Sequence, residues 1–190
     1  MNLPDLRPQL VAAQEWIATL IDGTSPDQLS NPTPCSEYDV RGLLEHLLAV
    51  ELRVQQIGES GELDNAPSQL PLPDGDLAAA FRAAATKASD AWRDDERLAA
   101  MVPPPFGTMP GGAAIGAYLS EHVTHGWDLA TATGQHAEAD PALAAAAMGA
   151  MQKALPDGQR DGLPFAPAVP PADDAGPTER LANWTGRRSR

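Results

Sequence analysis

The sequence predicts an all-α fold: a four-helix bundle with long crossover connections, followed by a C-terminal helix and a wrapping tail. Three observations carry this. Alanine is abundant, aromatic residues make up only 5%, and runs of β-branched residues are almost absent, a balance that favours helix over sheet. Apolar residues recur every three or four positions in successive stretches, each fenced by Pro, Gly or a capping residue. The 190-residue length suits one bundle with its own core and a small appendage.

The first helix is expected from Asp5 to Ile21, where Leu6, Leu10, Ala13, Ile17 and Leu20 form an apolar stripe. Pro8 falls in its first turn, where a missing N–H costs little, and Gly23 follows as a stop. Residues 24–38 form a loop rich in Pro, Ser and Asn. Asp39 is placed to cap the second helix, with Tyr38 positioned to staple onto Leu43, and the helix runs to Gly58. Leu43, Leu44, Leu47, Leu48, Val50 and Val54 give it the wide apolar face of a bundle helix. Residues 59–75 are a Pro/Gly/acidic connection with little to pack. The third helix spans Asp76 to Leu98 on Leu77, Phe81, Ala84, Ala88 and Trp92. The Pro- and Gly-rich stretch 101–112 is an extended loop or short hairpin, either a lid or a bare connection. The fourth helix runs from Ala113 to Thr133, with Gly134 as its terminating residue. Asp140 and Pro141 open a fifth helix that reaches Leu155. The bundle thus occupies residues 1–155. The tail, residues 156–190, carries Phe165, Val169, Leu181 and Trp184 to dock it, and Thr178 to cap a short final helix.

Charge and hydropathy bound the function. Thirteen basic against 26 acidic residues give a formal net charge of -13, which argues against nucleic-acid partners and against anionic membrane surfaces. No stretch reaches the ~18 consecutive apolar residues of a membrane span, and the first residues lack the basic and apolar regions of a leader. Cys35 is the only cysteine, so no intramolecular disulfide is available. These features fit a cytoplasmic protein, monomeric or homodimeric.

One stretch carries chemistry. In SEHVTHGWDLATATG, residues 120–134, Glu121 and His125 stand four apart and therefore one above the other on a helix, where both can reach a single metal ion. His122 sits about 100° round the helix and does not share that ion comfortably. Asp128 returns to the ligand face three residues after His125, suited to accept an imidazole N–H. A third ligand has to come from another helix. His46, within the apolar run LLEHLLAV, is the candidate. Two histidines and a carboxylate suit a divalent transition metal, zinc first, with nickel and iron as alternatives, and leave coordination positions open. The competing reading is a buried histidine hydrogen-bonded to a neighbour beside a solvated Glu/His face. Arg53, on the helix of His46, either meets an anionic substrate or forms a surface salt bridge. Cys35 is either a thiol associated with the metal or a small buried hydrophobe. His122 either lines the site or is hydrogen-bonded in the core, and His136 is exposed.

The segment NPTPCSEYDVRGLLEHLLAV resembles the start of the second helix in the DinB-like superfamily, specifically the actinobacterial branch with the mycothiol-dependent maleylpyruvate isomerase metal-binding domain. EHVTHGWDLATATG resembles that branch's fourth-helix motif, and GPTERLANWTGRR its C-terminal ending. The resemblance implies a DinB-like bundle in which His46, Glu121 and His125 are the metal ligands, while His122 is not. Tyr38 stands where a Trp is usual, and Gly42 where an acidic residue often completes a capping box. The chain has only a helix and a short tail where the isomerase carries a further α/β domain. The resemblance further implies a low-molecular-weight thiol of the mycothiol type as cosubstrate, activated as a thiolate by the metal for S-transfer to, or isomerisation of, an electrophilic substrate. A non-catalytic metal-binding protein and a metal-dependent hydrolase are the alternatives.

Overall fold

The computed structural model describes residues 4–155, 160 and 165–188. It contains α1 (Arg7–Asp22), α2 (Val40–Ser60), α3 (Leu77–Asp90), α4 (Asp95–Ala99), α5 (Gly111–Thr133), α6 (Pro141–Ala154) and α7 (Pro177–Trp184). The only sheet among the described residues is a short antiparallel hairpin, β1 (Met101–Val102) with β2 (Met109–Pro110). The fold is all-α. α1, α3, α2 and α5 form the bundle in that order around its axis, so α1 faces α2, and α3 faces α5, across the core. Two long connections, residues 23–39 and 91–110, cross between opposite corners. α6 packs on α5, and α7 on α5 and α6.

Local signals explain most boundaries. The Asp39, Asp76 and Asp140 side chains each accept a backbone N–H in the first turn of the helix that follows. Gly134 is left-handed at φ 71° and closes α5. Three boundaries differ from expectation. α2 runs past Gly58 to Ser60 and ends at left-handed Gly61, φ 79°. Gly58 instead gives Trp92 room, since a Cβ there would run into the indole. The third helix stops at Asp90, and Asp94 caps a separate turn, α4. Thr178 lies inside α7 rather than capping it. Its hydroxyl accepts from Ala139 N, and the Glu138 carboxylate takes the Thr178 and Glu179 amides. Residues 156–159 and 161–164, where the tail was expected to begin, lie outside the described residues. Further on, Phe165, Leu181 and Trp184 pack with Leu119, Leu143 and Met151.

The bundle core is split by a polar layer. Below it lie Leu10, Val54, Ile57, Trp92, Ile115 and Tyr118. Above it lie Ile17, Leu43, Leu47, Phe81 and Leu129. The layer takes one residue from each bundle helix. Ser89 Oγ donates to Gln14 Oε1 at 2.8 Å, Gln14 Nε2 donates to Glu51 Oε2 at 2.8 Å, and His122 Nε2 meets Glu51 Oε1 at 2.7 Å. His122 Nδ1 donates to Tyr118 O at 2.7 Å. A carbonyl can only accept, so Nδ1 carries a proton. Nε2 points at the Glu51 carboxylate, an arrangement that favours a second proton on the ring. Burial opposes that charge, but the Glu51 carboxylate outweighs it and raises the His122 pKa above 6.5.

Candidate metal centre

α2 and α5 run antiparallel past each other, and His46 meets Glu121 just above the polar layer. One ligand atom each from His46, Glu121 and His125 lies within 4.8 Å of the others. His46 Nε2 stands 3.1 Å from Glu121 Oε1, and the two imidazole rings meet edge to face with centroids 5.1 Å apart. His46 and His125 are buried, while the Glu121 side chain keeps 22% of its surface exposed.

Each histidine is oriented through its other nitrogen. His46 Nδ1 faces Ser68 O at 3.0 Å and the Tyr38 hydroxyl at 3.3 Å, and the Tyr38 ring stacks on the imidazole. His125 Nδ1 donates to Asp128 Oδ2 at 3.0 Å, and the same oxygen accepts from Arg187 Nε and Nη2 at 3.3 and 3.2 Å. The protons therefore sit on both Nδ1 atoms, and both Nε2 lone pairs are free for the centre. His46 Nε2 and Glu121 Oε1 are then two acceptors facing each other, an arrangement that needs a proton or a cation between them. This donor set fits a divalent cation. The electrostatics agree. Where a proton rather than a cation lies between them, burial would raise the Glu121 pKa, but the bond from His46 and the histidine charges lower it, so the carboxylate is ionised at neutral pH. Burial, with the charges of Arg187 and His46, holds His125 below 6.5 despite Asp128, so its imidazole is neutral at neutral pH.

The other expected site residues fall in different places. Asp128 supports His125, whereas His122 turns into the core and pairs with Glu51. Arg53 is buried rather than in a surface salt bridge, and its Nη2 donates to Pro67 O at 2.7 Å. The 59–75 connection is not empty of packing, since Leu63, Leu70 and Leu72 lie against the core. Its Pro67–Leu70 segment runs along α2, and its consecutive carbonyls hold Arg53 and His46. Cys35 lies within 4.8 Å of His125 and Asp128 ligand atoms, beside a cleft of about 350 Å³ lined by Thr33, Glu37 and Tyr38. Burial pushes its thiol pKa up, so the sulfur is protonated at neutral pH. His136 is exposed. Sequence reading missed Gln14, Glu51 and Arg187. The first two had a signal, being polar positions on apolar stripes.

The sequence profile of the mycothiol maleylpyruvate isomerase N-terminal domain matches residues 10–130, which contain all three candidate ligands. The chain belongs to this family. Relatives that resemble it along nearly the whole length are found in Mycobacterium tuberculosis. Uncharacterized protein MT0763 of strain CDC 1551 / Oshkosh is 36% identical over 180 residues, 94% of this chain and 95% of its own. Uncharacterized protein Rv0738 of strain ATCC 25618 / H37Rv shows the same identity and coverage. No solved structure matches the chain. No described helix is long and apolar enough to cross a membrane.

Proposed function

We propose that this family member is a metal-dependent, thiol-using enzyme, an S-transferase or isomerase. In this reading His46 Nε2, Glu121 and His125 Nε2 hold a divalent cation, zinc before nickel or iron. The observation that carries it is the convergence of the three side chains with both Nδ1 atoms already committed to Ser68 O and Asp128. Held by these three side chains, such an ion would supply a lowered pKa to a thiol, whose thiolate form is the nucleophile. Family membership supports a thiol of the mycothiol type. The thiol sulfur then bonds to an electrophilic carbon. In transfer a leaving group departs with the bonding pair; in isomerisation the sulfur is expelled after the adduct rotates.

The residues of the chain do the rest. Three protein donors leave positions for the thiol, and the exposed edge of Glu121 marks where it enters. Tyr38 stacked on His46 shields the ligand from water. The test is metal analysis of the purified protein followed by titration of the cobalt-substituted form with a thiol. The expected result is one metal ion per chain, its loss in His46→Ala, and a thiolate-to-cobalt absorption band. Protein without stoichiometric metal, or metal uptake unchanged by His46→Ala, overturns the metal reading. Cobalt uptake with no spectral response to thiol overturns the thiol reading and leaves a binding protein or a hydrolase.

A further inference from the structure

Arg53 has no role in holding the three ligands, yet it is built into the same place. It stands seven residues after His46 on α2, hence on the same side of the helix about two turns further along. It is 9% exposed, and apart from its bond to Pro67 O it forms no ion pair among the described residues. A buried guanidinium without a counter-charge is costly, and more so in a chain whose net charge of -13 offers many carboxylates it does not use. Tyr118 lies three residues before Glu121 on the facing α5. Because the two helices are antiparallel, Arg53 and Tyr118 flank the centre on the same side. Arg53 and Glu121 are the charges that act on the Tyr118 phenol. That hydroxyl is fully buried and has no hydrogen-bond partner. Phe106, at the tip of the β1–β2 hairpin, packs edge-on over the Tyr118 ring at 5.6 Å while remaining 42% exposed. The tip therefore covers the Tyr118 ring.

We propose that Arg53 and the Tyr118 hydroxyl form a carboxylate subsite beside the metal centre, and that the small molecule handled there carries a carboxylate. The inference rests on the metal and thiol reading for its reaction, but the subsite is a property of these two side chains. A guanidinium fork matches the two oxygens of a carboxylate, and a phenol supplies a third donor. One positive charge beside Glu121 suits a monoanion better than a phosphate dianion. The Pro67 and Ser68 carbonyls, consecutive in the chain, orient Arg53 and His46 together, so carboxylate and reacting atom are placed by one strap. The carboxylate belongs either to the thiol or to its electrophilic partner, and the two sources are separable.

The first measurement uses the metal-free full-length protein labelled with nitrogen-15 and titrated with propionate. The Arg53 Nε–H resonance, identified by its absence in Arg53→Gln, is expected to shift saturably with propionate and not with propionamide. Tyr118→Phe, which keeps the packing and removes only the hydroxyl, is expected to weaken that binding by about threefold. The second compares 3-mercaptopropionate with 2-mercaptoethanol on the cobalt-loaded protein. A preference of about tenfold for the acid, lost in Arg53→Gln with the 2-mercaptoethanol affinity unchanged, assigns the carboxylate to the thiol. A propionate shift without that preference assigns it to the electrophile. No saturable shift together with no preference, or a preference that survives Arg53→Gln, overturns the subsite. Failure to take up cobalt while propionate still shifts Arg53 overturns the metal reading and leaves the subsite standing.

Discussion

Glu51 and His122 are the pair whose removal says most about single side chains here. Both are fully buried, and each is the other's only charged partner in the polar layer. Breaking such a pair from one side leaves an uncompensated charge and costs about 3–5 kcal/mol. Glu51→Gln is therefore expected to lower the melting temperature well beyond an ordinary surface change. The pH dependence identifies the cause. Glu51 raises the His122 pKa above the ordinary 6.5, so the folded state binds a proton more tightly than the unfolded state. The stabilisation is complete below pH 6.5 and declines as pH rises through the raised value. In Glu51→Gln the support of the carboxylate is gone, while burial still disfavours the imidazolium. The stability gap between wild type and variant, measured on metal-free protein by denaturant melts from pH 5 upward, is thus expected to be widest at acid pH and to narrow with rising pH. A gap that stays constant or widens would show that the layer is held by packing and neutral hydrogen bonds.

At the scale of elements, close approach between helices matters as much as apolar patterning. Gly126, next to His125 on α5, lies against the Trp16 ring of α1, where a Cβ would run into the indole. Gly126→Ala adds one methyl to a filled contact and is expected to destabilise by about 1–3 kcal/mol, read as a lower denaturation midpoint with unchanged helix content. A neutral result would mean that α1 and α5 slide apart at no cost. The helices themselves were legible because period and caps agreed: Asp39, Asp140 and Gly134 do in the fold what their positions imply. Glu121, His125 and Asp128 were legible from spacing on one helix face. What was not legible depends on partners distant in the chain. Gly58 looks like a stop but is a packing site for Trp92. Glu51 and Gln14 stand out as polar positions on apolar stripes, but nothing near them in the chain shows that His122 on α5 is what they meet. The 59–75 connection acts on the candidate site through backbone carbonyls, which carry no residue signature.

The tail ties the whole molecule to its centre. α7 docks through Leu181 and Trp184 onto α5 and α6, and the chain then turns so that Arg187 reaches Asp128, 59 residues earlier. Asp128 is fully buried, and the oxygen that Arg187 contacts is the one that orients His125. The contact lies beyond residues 10–130, so a support for a candidate ligand comes from outside the segment that the family profile matches. Losing the guanidinium has two consequences with the same sign. Asp128 is left with His125 as its sole charge partner, which strengthens its pull on an imidazolium. The positive charge of Arg187 also no longer helps burial to hold the His125 pKa below 6.5. Both raise that pKa, and a proton on Nε2 competes directly with a metal ion. Arg187→Ala is expected to weaken zinc binding by about 10–100-fold, the range typical of lost ligand support, as measured by competition with a chromophoric chelator. The acid edge of zinc binding should move to higher pH, because His125 takes up a proton sooner as pH falls. Arg187→Lys should recover part of the affinity, and Arg188→Ala, one residue on and exposed, should leave it unchanged. Equal losses for Arg187→Ala and Arg188→Ala would reduce the tail to a general electrostatic effect; an unmoved acid edge would detach Arg187 from His125 altogether.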